Sequence, residues 1–410
     1  MIRLRDSVVS MAGVVAGQIA LFLCISLIGR LQGPEALGHF NYLLALGTFS
    51  GTLLALRFEL ACVTDSPRQS FSAFINVMAL SCGVTAIAMI VTLLNAHGEL
   101  LIIGGYAFAC FVQLAAGSYL NSLRRYELIA ASRLLVNLSF LLCLIAALGF
   151  KTIGSLDVFA IYTAINLVLS AGMLTGVLLH GRRHRYSFAL SRRFFADNVR
   201  FAKYILPSTI CGSVLTYALA IVIPRWFDAE SAGYFAAAYR LGFFPVSLIG
   251  QSLGGVFRRD AIGAVARHDA ASMLPKVFLT YARSLALLAL GYAVGGALLF
   301  APLVRLFFGA RWTGASGFFY ALIPLFAFQM IYVPLSQIFL ATREQRVDLS
   351  FQLSCGVVLI GVLFVAKAMN LSVHSSVQVF SLAGTVMMIL GVMLTFRVMN
   401  TSALRLRVSI

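Results

Sequence analysis

Long apolar runs of about 20 residues recur twelve times along the chain, separated by short polar intervals. A helix of that length covers the roughly 30 Å hydrocarbon core of a bilayer. Backbone groups in lipid must find partners within their own segment, so runs this continuous predict helices. The pattern therefore predicts an all-α polytopic membrane protein with twelve transmembrane helices. The predicted spans are 8–28, 40–64, 73–94, 100–123, 128–149, 156–179, 201–227, 232–257, 278–300, 315–340, 350–366 and 376–396.

The longest polar interval, 180–200, lies near the midpoint of the chain and is rich in arginine. It predicts a basic cytoplasmic linker between an N-terminal six-helix lobe at 1–179 and a C-terminal six-helix lobe at 201–410. A basic stretch beside a membrane attracts anionic lipids by about 1 kcal/mol per charge. The linker is interpreted first as an anchor for topology, and the alternative is that it recruits an anionic lipid-linked substrate.

An internal repeat supports this division into two lobes. Segments 35–40 and 230–235 share glutamate, glycine and phenylalanine at matching positions, at an offset of 195 residues. The same offset carries the start of the first span close to the start of the seventh. Because each lobe contains an even number of predicted spans, the repeats are expected to be parallel, related by an axis along the membrane normal.

The composition agrees with a membrane protein and argues against nucleic-acid or metal binding. The chain is 60% hydrophobic and 11% charged, and soluble domains carry about 25% charged residues. Its net charge of +17 is spread over alternating loops instead of forming one patch, which does not favour nucleic acid. The seven cysteines form no C-x-x-C pair and the six histidines form no H-E-x-x-H motif.

The distribution of lysine and arginine predicts the orientation of the spans. If the N-terminus is cytoplasmic, 23 of the 31 basic residues lie on that side, six lie on the other and two lie inside predicted spans. We therefore expect a multi-pass protein of the plasma (inner) membrane with both termini cytoplasmic, whose basic loops contact anionic lipids.

Arg57 and Glu59 lie inside the second predicted span, where Glu59 is the only acidic residue in any span. Burying each charge in hydrocarbon costs roughly 2.5–3.5 kcal/mol, so such residues are functional candidates. Residues two apart on a helix point away from each other. We therefore expect Arg57 to face a cavity and Glu59, in a structural or coupling role, to pair with Arg124 or Arg125. The alternatives are an ion pair that only locks helices together, or snorkelling to the interface.

Arg240 is the second cation inside a span and lies about 12 Å from the outer end of the eighth. The planar guanidinium suits phosphate oxygens and stays charged at any working pH. Arg57 and Arg240 would give each lobe one cation for an anionic headgroup. The alternative for Arg240 is a structural cap on a carbonyl freed by a nearby bend.

Four prolines inside the spans mark candidate kinks, and one amide is a candidate sugar ligand. Pro207, Pro245, Pro324 and Pro334 each lack a backbone donor, so we expect bends there that serve as gates between conformations. Gln251 is a candidate for contacts with sugar hydroxyls in the cavity. The simpler interpretation of a buried amide is an interhelical hydrogen bond.

Several segments resemble the polysaccharide (Wzx-type lipid-linked oligosaccharide, O-antigen) flippases of the multidrug/oligosaccharidyl-lipid/polysaccharide exporter superfamily. The similarity covers almost the whole chain, and the motifs occur in the same order. The segments are Leu56-Arg57-Phe58-Glu59-Leu60-Ala61, Ala232–Phe235, Tyr239-Arg240, Pro245, Ile249–Ser252, Val256-Phe257, Leu306–Trp312, Ala315, Pro324 and Pro334–Ser336.

This resemblance implies a fold, an activity and partners. It implies two six-helix lobes around a V-shaped central cavity, and alternating access that turns an undecaprenyl-pyrophosphate-linked oligosaccharide from the cytoplasmic to the outer leaflet. The pathway would be lipopolysaccharide, O-antigen or exopolysaccharide biosynthesis, with a polysaccharide polymerase machinery as a partner. No cofactor is implied, although exporters of this kind draw on a proton or sodium gradient.

Two other classes of protein are weighed against this one. A cation-coupled multidrug exporter of the same superfamily uses an acidic residue in its first or seventh helix, and the predicted spans 8–28 and 201–227 contain none. A membrane polysaccharide polymerase or glycosyltransferase needs catalytic carboxylates or large outer loops, and neither pattern is present. The sequence therefore predicts a transporter and not an enzyme.

Overall fold

The computed structural model describes residues 4–64, 66–95, 98–150, 157–265 and 270–408. These residues are almost entirely helical, and no strand occurs among them. The chain divides into two compact units, Met1–Thr209 and Ile210–Ile410. The sequence placed its linker slightly earlier, at 180–200.

The first unit is arranged around α4, which packs against three other long helices, α2, α3 and α6. Half of the α4 span is buried. α1 packs along α5. The elements are α1 (Leu4–Gln32), α2 (Pro34–Leu53), a 3₁₀ helix (Phe58–Cys62), α3 (Pro67–Leu94), α4 (Gly98–Ser122), α5 (Tyr126–Gly149), α6 (Val158–Arg183), α7 (Arg192–Asp197) and a π-helical turn (Phe201–Ile205).

The second unit is arranged around α11 in the same way. α11 packs against α9, α10 and α14, and 56% of its span is buried. The elements are α8 (Leu206–Trp226), which begins just before the unit boundary, α9 (Ala229–Val265), α10 (Ala270–Phe308), a 3₁₀ helix (Ala310–Trp312), α11 (Gly314–Leu335), α12 (Ile338–Ala341), α13 (Gln345–Ala368) and α14 (Val373–Val408).

Within the described residues, eleven helices are long and apolar enough to cross a membrane. The chain is therefore a multi-pass membrane protein. Of the twelve predicted spans, the second has no counterpart among these eleven helices. The corresponding helix, α2, is too polar, because it carries Glu35, His39 and Asn41 in its first two turns.

The second predicted span, 40–64, is wrong as a continuous helix. α2 ends at Leu53, and the chain turns through residues 54–57 before entering the 3₁₀ helix. Leu56 and Arg57 adopt positive φ angles of 51° and 68°, which an α-helix excludes. Hydropathy did not reveal the turn, because three of its four residues, Leu54, Ala55 and Leu56, are as apolar as those of a membrane helix.

The candidate gate prolines occupy different local environments. Pro245 and Pro324 lie inside uninterrupted helices, α9 and α11. Pro334 is the residue before the end of α11. Pro207 is the second residue of α8, directly after the π-helical turn. Their role as gates stays a prediction.

Candidate functional site around Arg57 and Glu59

The turn after α2 holds Arg57 in a conformation that costs energy. The turn is closed by hydrogen bonds from Leu56 N–H to Leu53 O and from Phe58 N–H to Ala55 O, each at 2.9 Å. A left-handed conformation at a residue other than glycine costs on the order of 1–3 kcal/mol and is concentrated at functional sites. Neither Leu56 nor Arg57 is a residue type that favours it.

This turn brings Arg57 and Glu59 together. Arg57 Nη1 lies 3.0 Å from Glu59 Oε1. The Glu59 side chain is fully buried and the Arg57 side chain is 17% exposed. The prediction that the two residues point apart is wrong, because it assumed a continuous helix. The predicted pairing of Glu59 with Arg124 or Arg125 is wrong as well, since both of those arginines are exposed.

The hydrogen-bonding capacity of the pair is not used. The contact has the distance of an ion pair but not the angles of a hydrogen bond. Arg57 Nε and both carboxylate oxygens of Glu59 have no hydrogen-bond partner within the described part of the chain. Buried charges without such partners are costly, and each one calls for a functional or structural reason. The attraction to Arg57 is therefore what compensates for the burial of the Glu59 carboxylate.

Aromatic residues of the linker cover the turn. The rings of Phe58, Phe194 and Phe195 form a cluster, with the Phe58 centroid 6.3 and 5.3 Å from those of Phe194 and Phe195 of α7. On the other side, the Ser70 hydroxyl donates a hydrogen bond to the Cys62 carbonyl oxygen, which fixes the 3₁₀ helix to α3. α7 and α3 thus both contact the 3₁₀ helix that follows the turn.

The rest of the linker is also attached to the first unit. Ser191 N–H donates to Asn76 Oδ1 at 2.7 Å, and Asn76 itself is fully buried in α3. The Phe71 ring packs edge-on against Phe188 at 5.1 Å and contacts Tyr186 at 5.6 Å. The predicted linker is therefore a docked segment of the first unit and not a free tether.

The remaining predicted site residues belong to the second unit. Arg240 is half-buried near the middle of the first half of α9. The side chain of Gln251 lies outside the described residues. Arg57 and Arg240 are not equivalent in the repeat, because the offset of 195 residues places Ser252 opposite Arg57 and Ala45 opposite Arg240.

Asp348 is a half-buried acid that the sequence reasoning missed. α13 begins at Gln345, five residues before the predicted span at 350, so Asp348 lies inside a membrane-spanning helix. Glu59 is therefore not the only acid within the helices. Asp348 lies beside Gln352, whose amide donates to the Tyr332 hydroxyl at 3.4 Å. The spacing of Asp348 and Gln352 by four residues, one helical turn, was the available signal.

Comparison with known proteins decides the family. Residues 112–317, half of the 410-residue chain, match the family model described as polysaccharide biosynthesis protein. The chain belongs to this family. The matched residues include Arg240 and the linker, and they leave out Arg57 and Glu59. No curated protein matches the chain.

Solved structures show which fold this family member has. An inward-facing multidrug resistance MATE family transporter of the MOP superfamily matches with a TM-score of 0.71 at 15% identity, over 94% of this chain and 95% of that one. The lipid II flippase MurJ, in an inward closed conformation, matches with a TM-score of 0.72 at 12% identity, over 98% and 91%. The chain therefore has the two-lobed helical fold of MOP-superfamily transporters, as predicted from its motifs. The proteins that share this fold are a transporter and a flippase and not enzymes.

Proposed function

We propose that the chain is a flippase that moves an undecaprenyl-pyrophosphate-linked oligosaccharide from the cytoplasmic to the outer leaflet of the inner membrane during cell-surface polysaccharide biosynthesis. The observation that carries the proposal is the match to a family of polysaccharide biosynthesis proteins. The fold shared with a lipid II flippase supports it, because that protein also moves a lipid-linked sugar. The fold alone does not decide, since a multidrug transporter shares it to the same extent.

Arg57 is the residue that we assign to the pyrophosphate. Its side chain is 17% exposed, and its buried Nε has no hydrogen-bond partner among the described residues. A guanidinium binds phosphate through two parallel N–H bonds, which the contact with Glu59 does not supply. A pyrophosphate at this position would gain those bonds. Arg240 is assigned to the same headgroup from the other unit.

Glu59 is assigned as the positioning residue for Arg57. It keeps the guanidinium in the turn while no phosphate is bound, at a distance of 3.0 Å. Because the carboxylate is fully buried, it must be satisfied in some other way when Arg57 turns to a phosphate. Coupling of transport to a proton or sodium gradient would act at this step, and the four prolines named above are the proposed hinges.

Transport in reconstituted vesicles tests the proposal. A fluorescent undecaprenyl-pyrophosphate-linked disaccharide is placed in proteoliposomes, and its outer-leaflet fraction is followed with a membrane-impermeant quencher under imposed proton or sodium gradients. We expect flipping by the wild type and a loss of about tenfold or more in Arg57→Ala, corresponding to one charge-assisted contact. Arg57→Lys, which keeps the charge without the planar fork, should retain part of the activity.

Arg68→Ala is the matched control, because Arg68 is an exposed arginine in the first turn of α3. It should flip the lipid at the wild-type rate. Wild-type vesicles that do not move the lipid-linked sugar, but exchange cationic drugs for protons, would overturn the proposal in favour of multidrug export. Equal rates for Arg57→Ala and Arg68→Ala would overturn the assignment of Arg57 alone.

A further inference from the structure

A cleft of about 670 Å³ lies between α9 and α10 in the second unit. It is lined by residues 253–264 of α9 and 273–284 of α10. The Tyr281 hydroxyl donates to Asp260 Oδ2 at 2.7 Å and so ties the two walls together. The buried ring of Phe257 packs against Tyr281 behind this bond, with ring centroids 5.2 Å apart. These two contacts hold the walls of the cleft together.

The lengths of α9 and α10 place this cleft at the membrane surface. The two helices contain 37 and 39 residues, or about 55 and 58 Å, which is well beyond a hydrocarbon core of roughly 30 Å. Counted from Ala232 and Phe300, the far ends of the predicted spans, Leu253 and Ser284 lie 21 and 16 residues away, or about 32 and 24 Å. Lys276 lies 24 residues from Phe300, or about 36 Å. The cleft thus crosses the boundary of the hydrocarbon core, and Lys276 lies at the level of the lipid headgroups.

The polar groups of the cleft are positively charged side chains and hydrogen-bond acceptors. The Lys276 ammonium makes no hydrogen bond or ion pair with any described residue, whereas Arg259 Nε lies 3.6 Å from Asp260 Oδ1. The hydroxyls of Thr280 and Ser284 donate to backbone carbonyls one turn earlier, at 2.8 and 3.0 Å. The lone pairs of these two hydroxyl oxygens are left to accept hydrogen bonds. The Asp260 carboxylate already accepts from Tyr281 and lies against Arg259, but each of its oxygens has a second lone pair for a further donor.

These features fit one kind of ligand. A phosphate would bind Lys276, and an N–H or O–H group beside that phosphate would donate to Asp260 or to the two hydroxyl oxygens. The apolar side chains of Leu253, Met273 and Val277 line the remainder of the cleft. A soluble phosphate would gain nothing from them, but a lipid would.

We propose that this cleft binds the headgroup of a glycerophospholipid of the adjacent leaflet, one that carries hydrogen-bond donors beside its phosphate, as phosphatidylethanolamine does. The site is separate from Arg57 and does not depend on the transported substrate. Phosphatidylcholine is the informative comparison, because it has the same phosphate and the same net charge but no N–H donor.

Native mass spectrometry of the full-length protein in detergent, titrated with each lipid, tests the proposal. We expect the wild type to bind phosphatidylethanolamine about tenfold more tightly than phosphatidylcholine, the effect of one charge-assisted hydrogen bond. Lys276→Gln should bind phosphatidylethanolamine about tenfold more weakly than the wild type does, and Lys276→Arg should bind it as tightly as the wild type. Lys203→Gln, at an exposed lysine outside the cleft, is the control and should bind as the wild type does.

Three results would overturn the proposal. Equal affinity for the two lipids would show that the headgroup donors are not recognised. Unchanged binding by Lys276→Gln, with its folding verified by an unaltered unfolding temperature, would remove the assigned phosphate ligand. Displacement of the lipid by inorganic phosphate or by undecaprenyl-pyrophosphate-linked sugar at equal concentration would reassign the cleft to a soluble anion or to the substrate.

Discussion

At the scale of single residues, the burial of Glu59 is the least expected feature of this chain. A fully buried carboxylate is tolerated when a cation lies against it, and Arg57 lies 3.0 Å away. The two charges are only two residues apart, a spacing that no continuous helix brings onto one face. The left-handed turn at Leu56 and Arg57 therefore makes the ion pair possible. The attraction between the two charges helps to offset the conformational free energy that the left-handed backbone costs.

Removing either charge alone should destabilise the protein more than removing both. Glu59→Gln leaves Arg57 mostly buried without a counter-ion, and we expect a loss of about 2 kcal/mol, less than the 3–5 kcal/mol of a fully buried pair. Arg57→Leu should have a similar effect, because the carboxylate is then unpaired. The double variant Arg57→Leu/Glu59→Gln should recover part of the loss. Unfolding temperatures in detergent measure the cycle, and additive losses would show that the two charges do not interact.

The sequence could identify these two residues but not their arrangement. The cost of burying charge singles out Arg57 and Glu59 whatever the local structure, so that part of the reasoning needed no coordinates. The turn was hidden, because glycine or asparagine usually marks a left-handed position and here Leu56 adopts it. What stabilises the turn is contact with Phe194 and Phe195, which are more than 130 residues away in sequence.

At the scale of elements, the docking of the linker depends on a close approach between α3 and α6. Gly181 of α6 faces the fully buried ring of Phe71, and a methyl group at this glycine would overlap with the end of that ring. The ring cannot move aside easily, because Tyr119, Tyr186 and Phe188 surround it. Glycine is therefore required at this position for reasons of space.

Gly181→Ala should destabilise the first unit by about 1–3 kcal/mol, the usual cost of overpacking a filled core. Gly176→Ala is the matched control, because Gly176 lies on the same helix and a methyl group there would have no neighbour within 4 Å. It should be neutral or slightly stabilising, since alanine favours helix. Unfolding temperatures of the two variants in detergent check the prediction. A decrease as large for Gly176→Ala would show that α6 is sensitive to alanine in general.

The apolar pattern located the helices well and their ends poorly. The ninth predicted span, 278–300, lies inside α10, which extends eight residues further at each end. The reason is physical. Hydropathy reports the part of a helix that lies in lipid, whereas hydrogen bonding continues the helix through charged residues such as Lys276 and Arg305. For the same reason Asp348 and the cleft between α9 and α10 could not be foreseen from the span boundaries.

At the scale of the whole molecule, the internal repeat is visible in the helices of the two units and ends at the turn that holds Arg57. Among the described residues, each unit has six long helices. The shared glutamate of the repeat is the second residue of its helix in both units, Glu35 in α2 and Glu230 in α9. The paired helices then differ, because α2 ends after 20 residues and α9 continues for 37. The two units thus share a framework of helices, and the Arg57–Glu59 turn follows the shorter helix of the pair, α2.

The excess of basic residues on one side of the predicted spans gives an orientation that can be measured. Ser187 lies in the linker and Ser372 lies between α13 and α14, and both are exposed. If the 23 basic residues on the linker side are cytoplasmic, Ser372→Cys should react with a membrane-impermeant maleimide in intact spheroplasts, and Ser187→Cys should react only after lysis. The wild-type chain supplies the background from its own seven free cysteines. Labelling of Ser187→Cys in intact spheroplasts would reverse the orientation, and with it the direction in which the proposed substrate is moved.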